Sequence, residues 1–129
     1  MMTVRKTVCA LLVLVTFAPT AALYGQALDL EQYRGESNVL VVLSSDTDDP
    51  RVFSFNLALS AEWNRVVARN MVAIDVDPAI YDVEAVARQL GLADSDFAVV
   101  LIAADGEIIF VSDDPASLPR VFRALDIAR

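Results

Sequence analysis

The sequence predicts an α/β fold in which helices flank a mixed central sheet, with elements in the order β-α-β-α-β-β-α. Three observations carry that expectation. NVLVVLSS (Asn38 to Ser45), MVAIDV (Met71 to Val76) and FAVVLIA (Phe97 to Ala103) are short, nearly unbroken aliphatic runs. Such runs read as strands covered on both faces, since a strand with one wet face alternates apolar and polar residues. Stretches with apolar residues at helical spacing separate the runs. The third run leads through Asp105-Gly106 into EIIFVS (Glu107 to Ser112), the signature of a hairpin and its antiparallel return.

The elements follow in order along the chain. LDLEQY, from Leu28, opens folded structure with a short helical turn around Asp29–Tyr33. After the first strand, SSDTDDP forms a loop, and Asp49-Pro50 is a helix-start signal, with Asp as N-cap and Pro in the first turn. The spacing predicts one helix from there to about Asn70, with Val52, Phe55, Leu59, Trp63 and Val66 inward. Phe53 and Leu57 widen that stripe and predict burial over much of the circumference. The second strand ends at Asp77-Pro78. A second helix over Asp82 to Leu90 carries Val83, Val86 and Leu90 on one side and stops at Gly91. After the hairpin, Ser117 caps a last helix with Leu118, Val121, Phe122 and Leu125 on one face. A parallel pair joined by a crossover helix, then a hairpin and a closing helix, is the order of the thioredoxin-like fold. A small doubly wound α/β domain is the alternative, and the hairpin argues against it.

The first residues read as something other than fold. Arg5 and Lys6 precede the apolar run Val8 to Ala18, then Pro19 and small residues. This is the layout of a secretory signal peptide; an uncleaved anchor is the alternative, and the run is shorter than the roughly 20 residues a membrane span needs. Cleavage after Ala22 or Ala27 fits the small-residue rule. The segment from Met1 to Ala27 is therefore assigned to the signal and residues 28–129 to one domain, exported to the periplasm or the medium.

The whole chain has 129 residues, a net charge of −8, no histidine and one cysteine, Cys9, inside the predicted signal. The remainder then holds 8 arginines, no lysine and 18 acidic residues, a net charge of −10. Absence of histidine removes imidazole general-base catalysis and the common zinc sites. An acidic chain without a basic run is repelled by nucleic acid and by anionic membrane surfaces, so neither is expected as a partner.

LDLEQYRGESNVLVVLSSDTDDPR, MVAIDV and FAVVLIAADGEIIFVSDDPASLPRVFRALD together resemble the domain of unknown function numbered 4174, a thioredoxin- or peroxiredoxin-like domain of exported bacterial proteins. The resemblance spans about Leu28 to Asp126 and implies a fold and a compartment, with no settled activity. In ordinary thioredoxins the loop after the corresponding strand carries Cys-x-x-Cys at a helix N-terminus, where the dipole and backbone amides lower a thiol pKa. Here it reads Asp46-Thr47-Asp48-Asp49, and Asp94-Ser95-Asp96-Phe97 stands where a cis-proline would face the cysteines. Thiol exchange and thiol peroxidase chemistry then lack a nucleophile, and no catalytic residue is assigned.

In this topology Asp46, Asp48 and Asp49 lie near Asp94 and Asp96, with Asp75 and Asp77 on the same sheet edge. Hard oxygen ligands so placed are candidates for binding calcium or magnesium. Helix capping and turn chemistry account for the same residues without a ligand. Arg51 in the first helical turn is placed to pair with one of these carboxylates. Strand–Asp-x-Asp also resembles aspartate-nucleophile phosphatases, but a lysine to hold the phosphoryl group is missing after residue 27. Trp63 and the phenylalanines are assigned to core packing. The leading expectation is a binding or interaction protein of the cell envelope, without a cofactor. A divalent-cation protein using the Asp46–Asp49 loop and a cysteine-free subunit of a redox assembly are the alternatives.

Overall fold

The structure, a computed structural model, describes residues 27–92 and 95–128. The predicted signal, from Met1 to Ala27, therefore lies outside the described residues except for Ala27 itself, and Asp94 lies outside them as well. Strands β1 (Asn38–Ser44), β2 (Met71–Val76), β3 (Phe97–Ile102) and β4 (Ile108–Ser112) form one sheet in the order β2-β1-β3-β4. β1 runs parallel to β2 and antiparallel to β3, and β3–β4 is the predicted hairpin. Helices α1 (Pro50–Ala61), α2 (Trp63–Ala68), α3 (Val83–Gln89) and α4 (Leu118–Ala128) complete the domain, after a 3-10 turn at Glu31–Tyr33. Among the described residues no helix is long and apolar enough to cross a membrane.

The two central strands are buried on both faces, which is why β1 and β3 read as continuous apolar runs. Leu40, Val42, Val99 and Leu101 face α1, α2 and α4, meeting Phe55, Leu59, Val66, Val121 and Phe122. The alternate residues Val39, Val41, Leu43, Val100 and Ile102 face α3 and the N-terminal segment, meeting Val86, Leu90 and Leu28. Leu28 is held by its backbone: Gln89 accepts from its N–H at 2.9 Å and donates to its carbonyl at 2.9 Å.

Four expectations are corrected. β2, expected to be covered on both faces, is an edge strand in which only Met71 and Val76 are buried and Asp75 is exposed. The long helix is broken at Glu62, whose backbone leaves helical geometry (φ −111°, ψ 24°). Phe53 and Leu57 are 71% and 62% exposed and Trp63 is also exposed, whereas Phe55 is wholly buried. At about 100° per residue Phe53 and Leu57 each lie some 200° from Phe55, and only one side of α1 meets the sheet. Ser117 occupies the N-cap position of α4, but its buried hydroxyl makes no hydrogen bond among the described residues. Pro119 has no N–H to offer, and the Arg120 and Val121 amides donate to the Ser117 carbonyl instead.

Candidate functional site

The loops predicted to share an edge do share it. β1 ends at Ser44, and the Ser45 amide donates to the Asp96 carbonyl at 3.1 Å, tying the loop before α1 to the entry of β3. Even-numbered residues of β1 point toward α1, so Ser44 continues the Leu40–Val42 face and lies opposite Phe97 in the register. Asp49 caps α1: its Oδ1 accepts from the Arg51 amide at 2.9 Å, and Pro50 fills the position whose amide would otherwise be unused.

The Asp49 carboxylate is 5% exposed and fully occupied. Arg51 grips it with two nearly parallel bonds, Nε to Oδ1 at 3.0 Å and Nη2 to Oδ2 at 2.7 Å. The Ser44 hydroxyl donates to Oδ2 at 2.8 Å. A carboxylate offers about four acceptor sites, and the amide, two guanidinium N–H groups and a hydroxyl fill them. The Arg51 side-chain bonds, with help from its amide and Ser44, hold the Asp49 carboxyl well below the usual carboxylate range, against the opposing pull of burial. The same bonds, Asp49 first and then Asp96, raise the already high pKa of Arg51. The guanidinium carbon stands 4.9 Å from the centroid of the Phe97 ring, so the cation is stacked as well as paired. Its outer face reaches Asp96 at 3.4 Å.

The other acidic candidates do different work. Asp46 accepts the Asp48 amide at 3.0 Å in an Asx turn, and the exposed Asp48 carboxylate has no partner among the described residues. Asp77 accepts from the Ala79 amide at 3.0 Å, the turn chemistry expected before Pro78, and Asp75 accepts from Asn56 at 3.2 Å. Among the described residues no three histidine, cysteine, aspartate or glutamate side chains gather as a metal site would require. Sequence reasoning named Asp49 and Arg51 but missed Ser44 and Phe97. The signal for Ser44 was a polar residue closing an apolar run in step with Leu40 and Val42.

An open hollow of about 380 Å³ lies beside this lock, lined by Thr47, Asp48, Asp49, Pro50, Val52, Phe53 and Asn56. A narrower one of about 40 Å³ adjoins it through Thr47 and Val52 and reaches Asp75 and Asp77. At the other end of β1 a cleft of about 280 Å³ is lined by Leu28, Tyr33, Arg34, Gln89 and Gly106, among others.

No protein-family model matches the sequence, and no curated protein does. Solved structures do match. The reduced 2-Cys peroxiredoxin of Plasmodium vivax superposes with a TM-score of 0.64 at 15% identity, covering 78% of this chain and 82% of that one. Plasmodium yoelii Prx1a, in a form modified at its N-terminus that assembles as an artifactual octamer, gives a TM-score of 0.60 at 17% identity, covering 78% of each chain. The fold is thioredoxin-like. At such low identity the likeness extends to the backbone arrangement and no further. The start of α1, where thioredoxins carry their reactive thiols, is here the Asp49–Arg51–Ser44 lock, and residues 27–128 contain no cysteine.

Proposed function

We propose that this chain is an exported domain of the group numbered 4174, working in the cell envelope by binding a partner rather than by thiol chemistry. The observation that supports this reading is the Asp49 carboxylate at the N-terminus of α1, with its four acceptor sites filled by Arg51 and Ser44. A group so engaged is a poor nucleophile and has no lone pair left for a cation. The burial of Leu28 and its two hydrogen bonds with Gln89 support a folded domain that starts at Leu28, directly after the proposed signal from Met1 to Ala27.

The test is a turnover screen on the exported protein. Hydrogen peroxide, disulfide and phosphoester substrates are expected to be left unchanged. Turnover abolished by Asp46→Asn or Asp48→Asn would overturn the binding reading in favour of carboxylate chemistry. Intact mass of the exported protein checks the processing: a chain beginning at Leu28 is expected, and retention of residues 1–27 would refute it.

A further inference from the structure

We infer that the exposed face of α1, together with the acidic edge beside it, is a docking surface for a partner segment that pairs basic side chains with apolar anchors. The inference rests on the binding reading above and names the class of partner. Phe53 and Leu57 lie one turn apart on α1, and both side chains are largely in solvent. They stand on the opposite side of the helix from buried Phe55 and Leu59, so the core gains nothing from their being apolar. A helix face that only met water would carry polar residues at such positions.

The neighbourhood selects the partner's charge. Phe53 shares its hollow with Asp48, whose carboxylate has no partner among the described residues, and with Asn56, which donates to Asp75. The segments 44–50, 75–82 and 95–97 and the first turn of α1 hold the described carboxylates Asp46, Asp48, Asp49, Asp75, Asp77, Asp82 and Asp96. Arg51 is the one cation in these segments, and Asp49 and Asp96 occupy it. Negative potential therefore extends outward over the hollow and beside the apolar pair. A second copy of this acidic chain is repelled from such an edge, and so is an anionic lipid surface. A protein segment with arginine or lysine flanking a leucine-sized side chain satisfies both features, placing apolar atoms on Phe53 and Leu57 and cations near Asp48, Asp75 and Asp77.

The test uses the purified protein and short labelled peptides of repeated Arg-Leu-Ala, Arg-Ser-Ala and Glu-Leu-Ala, read by fluorescence anisotropy. Arg-Leu-Ala is expected to bind most tightly, and its affinity to fall as sodium chloride is raised. Phe53→Ser with Leu57→Ser should weaken it by about tenfold or more, each tenfold corresponding to about 1.4 kcal/mol. Asp48→Asn with Asp75→Asn should weaken it by several-fold. Glu84→Gln with Glu107→Gln removes the same charge from α3 and from the hairpin and should leave affinity nearly unchanged. The four surface changes, in α1, in the loop before it and near the end of β2, leave the core intact, and an unchanged circular dichroism melt verifies that. Equal loss from the distant pair, or equal binding of Arg-Ser-Ala, would show net-charge attraction alone and overturn the inference. Phe53-dependent binding of Glu-Leu-Ala in place of Arg-Leu-Ala would overturn the partner class while leaving the binding reading standing.

Discussion

Replacing Ser44 by alanine isolates the part of the lock that the sequence concealed. The hydroxyl is buried, donates its single proton to Asp49 Oδ2 at 2.8 Å and accepts from the Asp46 amide at 3.1 Å. Ser44→Ala removes both bonds while leaving nearly the same volume, so no cavity term enters. One lost bond goes to an ionised group, which puts its net value at about 1.5–3 kcal/mol; the other goes to a neutral amide near the surface and adds about 0.5–1.5 kcal/mol at most. Arg51 still satisfies Oδ2, and the Asp46 amide has access to water, so the lower part of the range applies, about 2 kcal/mol. For a domain of this size that corresponds to a fall in Tm of about 8–16 °C. The assay is thermal and urea unfolding followed by far-ultraviolet circular dichroism, with Ser45→Ala as control. The Ser45 hydroxyl is exposed and its contact to the Asp96 carbonyl is 3.5 Å long, so its removal should cost no more than about 0.5 kcal/mol. If Ser44→Ala and Ser45→Ala melted together, the buried hydroxyl would not be holding Asp49, and the lock would reduce to the Asp49–Arg51 pair.

Three further outcomes follow from the same geometry. The Asp49 pKa is lowered by folding, so its contribution to stability is present above the unfolded value of about 3.9 and is lost as pH falls from there toward the folded value; the urea midpoint of the native protein should drop more between pH 7 and pH 3 than that of Asp49→Asn, and equal drops would refute the shift. Phe55→Ala should cost about 3–5 kcal/mol, whereas Phe53→Ala should stay within about 0.5 kcal/mol, since only the first empties a packed site; comparable urea midpoints for the two would refute the facing of α1. Asp49→Cys places a thiol at the N-terminus of α1 beside Arg51, so the pH profile of its alkylation should have a midpoint below the free-cysteine value of about 8.5; a midpoint at or above it would show that the surroundings do not favour an anion.

How much the sequence revealed depended on whether the deciding interaction was local. β1 and β3 were legible because burial on both faces removes polar residues from the run. Asp49 was legible as a cap because Asp-Pro is a helix-start signal, and Arg51 in the first turn was legible as the partner of one of the neighbouring carboxylates, though not of which one. Ser44 and Phe97 were not, because they join the lock only through strand register and the β1–β3 pairing. Phe53 and Phe55 are the same residue type two positions apart, and hydropathy gives them the same weight; which one is buried depends on where the sheet lies. Ser117 shows the converse, a residue of the right type at the right position whose cap bond is prevented by Pro119 and by competition from its own carbonyl.

A helix N-terminus stabilises an anion whatever the anion's chemistry. Where that anion is a thiolate, its lone pairs remain open to an electrophile and the site is reactive. At the start of α1 the anion is a carboxylate charged at any physiological pH, and every acceptor position it has is turned inward, to Arg51, Ser44 and the helix backbone. The same local field is thus used to fasten the β1 loop to α1, and Arg51 extends the fastening to β3 through Phe97 and Asp96. What that arrangement holds in place is the geometry of the surrounding loops, and so the position of Asp48 beside Phe53. A rigid base beneath exposed groups lowers the conformational entropy lost when a partner settles on them, which is the physical link between a locked helix start and a surface suited to recognition.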